Sequence, residues 1–457
     1  MKICLIKLGA EGDVVRTLPL AKAIKKKYPF CNLTWITKQG ISPLLEGNPY
    51  IDKIIFPKGV IPSKFDIVYN LDIDKEASDI ALKINSPEKY GFYLEDDFPV
   101  AFNPSAEYYI NSIFDDDLKR ENKKTYQEMM FEVAETPYVK EISTINLTSE
   151  DRGYANNFII ENKIPSENII GIHIGSSSRW PSKRWHKENL KDFIRISTKN
   201  MYNVILFGGP NEIDYMPEIK NELASENIPV YFNNPQNTKR EFAALIDKCD
   251  YVISGDSLAL HIALALNKKT IGLFFCTSFN EVEDYGLLKK MVSPRFYEFF
   301  PERMDEYDED LVKSISAEEV FENIKSFNKV FVVNAIIRNS EGKFLLIKRA
   351  NEGIHAGKWA LPGGMVELNE FYENALKREI KEEVNLNLKK ILKKVADYEY
   401  PRPDGRITVG TSFSIEVENY EIKPNKEVSD FRWVSLEELA ELDVIKDLEE
   451  ELMNCLC

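Results

Sequence analysis

Cysteine is scarce. There are six in 457 residues, and only Cys455 and Cys457 stand close together. Cys4, Cys31, Cys249 and Cys276 fall in apolar or strand-like stretches, so no disulfide framework or zinc-ligand spacing is visible, and a reducing cytoplasm is the expected compartment. Basic residues are in deficit: 59 Lys and Arg against 74 Asp and Glu give a formal net charge of −15. That balance argues against a nucleic-acid binder, which needs a basic stripe. Long apolar runs are missing too. Nothing approaches the ~18 uninterrupted apolar residues of a membrane span. The N-terminal MKICLIKLGAEGD meets Lys7 and then acids too soon for a signal sequence, and the closing NCLC has no cysteine at the fourth position from the end, as prenylation requires. The expectation is a cytoplasmic protein without an integral membrane segment, at most peripheral to the inner face of a membrane.

What is present is length and core-forming material. The 457 residues, 44% of them hydrophobic, suggest about three packing units. From Lys2 to about Asp72, strand-like KICLIKL, NLTWITK, KIIF and FDIVYNLD alternate with helix-like stretches, the pattern of a parallel sheet with packed helices. The segment from about 99 to 144 reads as a more polar, helical covering element. A second alternating series follows in IIGIHIG, YNVILFGG, PVYF, YVISGD and TIGLFF. After the helical SAEEVFENIKSF the character changes to KVFVVNAIIRNSEGKFLLIKRA, two strands joined by a turn containing Gly342. The predicted organisation is a Rossmann-like lobe at 1–150, a second at 151–327, and an α+β domain at 328–457 closed by a helix from about Ser435 onward.

The most informative stretch of the last domain is GMVELNEFYENALKREIKEEVNL, residues 364–386. Glu379, Glu382 and Glu383 are spaced i, i+3 and i+4, so they share one helix face within about 100°. Such crowded carboxylates suit a hard divalent cation. Leu376, Ile380 and Val384 recur every fourth residue and supply a core-facing stripe. The rival reading is a solvated acidic helix with an ordinary salt-bridged arginine.

In register, Gly364, Glu370, Arg378, Glu379, Ile380, Glu382, Glu383 and Leu386 resemble the Nudix hydrolase signature. Asn385 stands where the family has its second glycine, and asparagine tolerates the left-handed conformation that a helix end often needs. The resemblance implies an α/β/α sandwich with a mixed sheet that cleaves a nucleoside diphosphate derivative, such as ADP-ribose or an NDP-sugar, with Mg²⁺ (Mn²⁺ as the alternative). Glu379, Glu382 and Glu383 would be metal ligands, and Arg378 would brace the loop through Glu370. Glu427, six residues before Trp433, resembles an additional family acid that binds metal or acts as base; its rival reading is a surface glutamate. Lys348, Arg349, Arg402 and Arg406 are candidate phosphate contacts. Trp359, Tyr398 and Tyr400 are candidate base platforms, although aromatics at such places more often serve packing. PRPDGR reads as a turn between strands.

In the first two lobes the glycine-rich GAEGD loop lies at the carboxyl end of a strand, where open α/β sheets bind ligands. Alone, it leaves Asp13 equally readable as a helix N-cap. MKICLIKLGAEGDVVRTLPLAKAIKKKYP, GIHIGSSSRWPSKRWHKENL, VILFGGPNE and YVISGDSLALHIALALNKKTIGLF, in that order, resemble the heptosyltransferases of glycosyltransferase family 9. The resemblance implies two facing Rossmann lobes (GT-B), a nucleotide-sugar donor, a glycan or lipid-linked acceptor, and transfer without a metal. It makes Asp13 the general base and Arg179, before Trp180 and Pro181, a partner of the departing diphosphate. Asp256, Ser257 and His261 fall in the family's D-[TS]-G-x-x-H segment at a helix start. Leu258 replaces that segment's glycine, which narrows or removes the donor site. In the rival reading, Asp256 caps its helix, His261 is a satisfied buried histidine, Arg179 sits on a solvated surface, and the lobes only bind a nucleotide sugar.

Overall fold

The computed structural model describes residues 1–457 except 178, 351–354, 368–369, 403–405 and 457. It divides into two compact units, Met1–Asn323 and Ile324–Cys457.

The first unit holds two six-stranded sheets. The first comprises β1 (Lys2–Ile6), β2 (Asn32–Ile36), β3 (Lys53–Ile55), β4 (Ile67–Asn70), β5 (Glu88–Glu95) and β6 (Phe98–Ala101). Their order is β3-β2-β1-β4-β5-β6, parallel except for β6, which runs antiparallel to β5. The second sheet comprises β7 (Ile169–His173), β8 (Asn203–Phe207), β9 (Tyr231–Phe232), β10 (Tyr251–Gly255), β11 (Lys269–Phe274) and β12 (Leu288–Val292). It is parallel throughout, in the order β12-β11-β10-β7-β8-β9. Helices cover both faces of a parallel sheet, so its central strands are continuous apolar runs, and Ile3, Cys4, Leu5 and Ile6 are fully buried. In each sheet the strand order reverses beside the first strand, opening a crevice at the carboxyl ends of β1 and β4, and of β7 and β10. The loops leaving β1 and β10 lead to Asp13 and Asp256. One contiguous apolar cluster, including Val14, Leu18, Ile262 and Ala263, runs between the helices that follow those loops.

The segment expected to be a polar cover is in part core. It contributes β6 and the helices Glu107–Phe114, Asp116–Glu121 and Tyr126–Val133. In the last of these Tyr126, Met129, Met130, Phe131 and Val133 are buried. The polar character belongs to the 115–124 stretch and conceals the apolar helix that follows it.

The second unit has a mixed four-stranded sheet, β16-β13-β18-β17, and a three-stranded sheet, β15-β14-β19. Its strands are β13 (Lys329–Ile337), β14 (Phe344–Arg349), β15 (Trp359–Ala360), β16 (Gly363–Met365), β17 (Leu388–Pro401), β18 (Ile407–Val417) and β19 (Val428–Val434). Gly342 (φ +82°) makes the turn between β13 and β14, but each strand finds its ladder in a different sheet. Alternate residues feed two cores. Val333, Ala335, Ile337, Leu345 and Ile347 pack with Leu376, Ile380 and Val384 of the Tyr372–Val384 helix. Ile336, Phe344 and Leu346 pack with Leu448 and Leu452 of the Leu448–Leu456 helix. The helix expected from Ser435 is corrected. A 3-10 turn at Glu437–Glu441 comes first, and a bridge between Trp359 and Val444 extends the chain before the helix begins at Leu448. Pro403, Asp404 and Gly405 of the expected PRPDGR turn lie outside the described residues. Among the described residues no helix is long and apolar enough to cross a membrane.

Candidate active sites

The first site is built where β1 ends. Lys7 is 2% exposed, and its Nζ lies 2.6 Å from Asp72 Oδ1, 3.0 Å from Leu71 O and 3.9 Å from Asp13 Oδ2. Asp72 also accepts the Leu8 and Gly9 N–H groups, which fixes the glycine loop. Asp13 sits in the first turn of the Glu11–Lys27 helix. Its cap residue is Ala10, with no side-chain capping bond, so the N-cap reading of Asp13 fails. Its Oδ1 instead accepts Arg16 Nη2 at 2.8 Å and Nε at 3.1 Å, and the Arg16 guanidinium lies 3.8 Å from the Tyr126 ring centroid. Burial pushes the Asp13 carboxyl up, but Arg16, Lys7 and His261 outweigh it and hold the group below the usual range. Asp13 is ionised at neutral pH.

Facing it, β10 ends at Gly255 and the Leu258–Ala265 helix starts after Ser257, again with no side-chain cap. The capping alternative for Asp256 therefore fails as well. Its Oδ2 accepts Lys183 Nζ at 3.0 Å, and its Oδ1 is 3.5 Å from His261 Nε2. Burial is opposed by Lys183 and His261, leaving the Asp256 carboxyl well below its ordinary range. Burial is also the main reason that His261 is shifted down, against the pull of Asp256. Ser257 Oγ lies 3.2 Å from His173 Nδ1 and 2.9 Å from Ser254 Oγ. Burial, helped by Arg184, lowers His173 to about 4. A Cβ on Gly12 would stand 2.7 Å from His261 Cδ2, so the two halves touch where any side chain would force a shift.

Asp13, Arg179, Lys183, Asp256, Ser257, Leu258 and His261 all line one cleft of about 650 Å³. Arg179 is exposed and stacks on Trp180, with 4.6 Å from guanidinium to ring centroid. The cation that engages Asp256 is Lys183, brought in by the 3-10 turn Pro181–Lys183. Sequence reasoning missed it; the only available signal was a second basic residue just past the Trp-Pro pair. Lys7 and Asp72 were missed for a different reason, since 65 positions separate them.

In the second unit Arg378 forks onto Glu370, with Nε to Oε1 at 3.0 Å and Nη2 to Oε2 at 2.8 Å, and it also donates to Met365 O at 2.9 Å and to Glu379 Oε1 at 2.7 Å. The Glu379 carboxylate fills the space beside Gly364, where a Cβ would meet Oε2 at 2.4 Å. Glu383 is 1% exposed, pairs with Arg349 Nη1 at 2.5 Å and accepts the Gly363 N–H at 2.7 Å. Burial pushes Glu383 up to about 7, with Arg349 and Gly363 opposing, and burial likewise raises Glu379 against Arg378. Glu382 is exposed, 3.5 Å from Arg378. Glu427 is exposed, and its charge helps raise Glu383. Asn385 closes the helix in the left-handed region at φ +58°, ψ +28°.

Two expectations change. Arg349, a candidate phosphate contact, is engaged by Glu383. Trp359, a candidate base platform, is 4% exposed and packs in the core beneath Arg432. Among the described residues no three of His, Cys, Asp or Glu are gathered closely enough to hold a metal ion. Even so, three carboxylates on one helix face are a hard-oxygen donor set, and two of them carry pKa values raised by burial and mutual repulsion. That chemistry fits a divalent cation.

Residues 58–304 match the family model for glycosyltransferase family 9 (heptosyltransferase), and residues 329–454 match the NUDIX domain model. The chain is 24% identical over 303 residues to the lipopolysaccharide core heptosyltransferase OpsX of Haemophilus influenzae, covering 64% of this chain and 84% of that protein. It is 38% identical over 126 residues to the nucleoside triphosphatase NudI of Escherichia fergusonii, covering 25% of this chain and 86% of the relative. The fold is similar to the crystal structure of a family 9 glycosyl transferase from Veillonella parvula, with a TM-score of 0.58 at 20% identity over 71% of this chain and 96% of that one.

Proposed function

Because the chain belongs to glycosyltransferase family 9 and, through its last third, to the Nudix hydrolases, we propose that its two units carry separate chemistries: transfer of a sugar from a nucleotide-sugar donor, and hydrolysis of a nucleotide phosphoanhydride. The observation that carries the first part is the shared cleft, with Asp13 on one wall and Lys183, Asp256 and His261 on the other.

We take 1–150 as the acceptor lobe, 151–327 as the donor lobe and 328–457 as the hydrolase. In the cleft an acceptor hydroxyl, on a glycan or lipid-linked sugar, lies against Asp13. Its oxygen bonds to the donor's anomeric carbon, the bond from that carbon to the diphosphate breaks, and the proton passes to Asp13. A carboxylate held below its usual range is ionised at neutral pH but weakly basic, so the proton moves late, as the new bond forms. Lys183 and Arg179 take up the charge of the departing diphosphate, with the amides opening the Leu258–Ala265 helix. The name of OpsX favours a heptose-like sugar, and a lipid-linked acceptor would bring the chain to the inner face of a membrane. Leu258 lines the cleft and supports a second reading, in which this unit only binds a nucleotide sugar.

In the second unit Glu379, Glu382 and Glu383 would hold Mg²⁺ or Mn²⁺, with Glu427 close by. The cation would offset phosphate charge and lower the pKa of the attacking water. Arg378 ties Glu370 and the Met365 carbonyl to the acidic helix, and Glu383 would exchange Arg349 for the cation. ADP-ribose, an NDP-sugar and a nucleoside triphosphate share the required anhydride; the name of NudI favours the triphosphate. The test is a panel of NDP-sugars and nucleoside triphosphates with Mg²⁺. Nucleoside monophosphate as product marks anhydride cleavage, and nucleoside diphosphate formed only with an acceptor marks transfer. Absence of both products across the panel would refute the proposal.

A further inference from the structure

Beside the acidic helix the second unit has a cavity of about 310 Å³. Its floor is aromatic. Tyr398 on β17 is paired directly with Gly410 on β18, and its ring occupies the space over that glycine, where a Cβ would be 1.9 Å from ring carbon Cζ. Tyr400, two residues on, presents its ring on the same face, 10° from parallel at a centroid distance of 6.1 Å. His355 Nε2 is 2.9 Å from Tyr400 Oη, which fixes the second ring. Two such rings make a platform for a planar heterocycle.

The inner end is polar. Asn334 Nδ2 donates to Tyr398 Oη at 2.6 Å and to Ser412 Oγ at 3.4 Å, and Ser412 Oγ donates to Glu451 Oε2 at 2.6 Å. Asn334 and Glu451 are each 7% exposed, and both line the cavity. Among the described residues, neither Asn334 Oδ1 nor Glu451 Oε1 receives a hydrogen bond. Glu451 lines the cavity with this oxygen unengaged by the protein, and a ligand N–H that reached it would form a charge-assisted hydrogen bond. Gly363, Gly364 and Arg349 line the same cavity, and these residues touch Glu383 and Glu379. A nucleotide with its base on the tyrosines therefore carries its phosphates toward the acidic helix.

We propose that this cavity receives the base of the nucleotide hydrolysed by the second unit, and that Glu451 selects bases bearing an exocyclic amino group. A carboxylate accepts an amino N–H but faces a keto oxygen unfavourably, so the contrast lies between amino and keto twins of one ring. The proposal rests on reading the second unit as a nucleotide hydrolase, but it can be tested without turnover. Binding of CMP against UMP, and of AMP against IMP, is measured by titration calorimetry on the full chain with Mg²⁺, for the wild type and Glu451→Gln.

The expected result is that the amino member of at least one pair binds about 10-fold or more tightly, in line with the usual gain from a well-placed base contact, and that the gap closes in Glu451→Gln. Equal binding within both pairs, no binding at millimolar concentration, or a gap that persists in the variant would overturn the proposal. Gln keeps the side-chain volume and the Ser412 bond, and a thermal melt verifies that it folds; should it unfold, the wild-type comparison decides. Turnover of the matching triphosphates tests the parent reading separately, since base preference without cleavage removes that reading and leaves the pocket.

Discussion

The contact between Gly12 and His261 yields a prediction in which stability and activity separate. Gly12 is the second residue of the Glu11–Lys27 helix, so alanine is compatible with its backbone and contributes up to about 1 kcal/mol of helix propensity. Against this, the new Cβ would stand 2.7 Å from His261 Cδ2, and His261 is buried and held by Asp256. Opening that distance to an ordinary contact of about 3.5–4 Å requires roughly a 1 Å shift, and overpacking of this kind costs about 1–3 kcal/mol. The two effects nearly offset, so Gly12→Ala should change unfolding free energy by no more than about 2 kcal/mol. Catalysis has no such compensation. Asp13 is the next residue, and a displacement near 1 Å between base and donor costs about 100-fold in rate. The assay is initial-rate sugar transfer alongside a denaturant melt, with nucleotide hydrolysis by the second unit of the same preparation as internal control. Wild-type transfer by Gly12→Ala would refute the claim that the two walls are held in register at this contact.

Other perturbations have similarly direct readouts. Lys183→Gln removes the cation that pairs with Asp256 and should raise the donor KM by about 10-fold or more, read from initial rates against donor concentration; an unchanged KM would return that role to Arg179. Arg378→Lys cannot reproduce the fork on Glu370, so hydrolysis by the second unit should fall about 10- to 100-fold while transfer is unaffected. Asn385→Ala forces a Cβ without a compensating side-chain amide into the left-handed region and should cost about 1 kcal/mol, whereas Asn385→Gly should be neutral or slightly stabilising; equal melts for the two would contradict this. The first unit should also lose stability on mild acidification. His173 takes a proton near pH 4 when folded but near its ordinary 6.5 when unfolded, so its contribution is complete above about pH 6.5 and lost as pH falls toward 4, to a total of about 3 kcal/mol. Denaturant midpoints across that window should fall less steeply in His173→Gln.

What could be read from the sequence was whatever the chain writes locally. The apolar runs of β1, β7 and β10 announce parallel strands because both faces are buried, and the eight-residue spacing of Glu370 and Arg378 spans one loop and two helical turns. Long-range partners leave no such trace. Lys7 meets Asp72, Lys183 meets Asp256 and Arg349 meets Glu383 only once sheets have formed, and nothing near any of these residues marks its partner. Trp359 misled because an aromatic next to a glycine-rich strand looks the same whether it faces a ligand or, as here, the core. The stretch from 99 to 144 misled by averaging, since charges at 115–124 outweigh the apolar face of the Tyr126–Val133 helix. The tyrosine platform needed the pairing of Tyr398 with Gly410 across two strands, a register that the sequence does not display.

Two independent active sites on one chain should respond separately to paired single substitutions. Transfer and hydrolysis are to be measured on Asp13→Asn and Glu382→Gln side by side with the wild type. Asp13→Asn should lose transfer and keep hydrolysis, while Glu382→Gln should lose hydrolysis and keep transfer. Loss of both activities in either variant, or of neither in both, would contradict that independence.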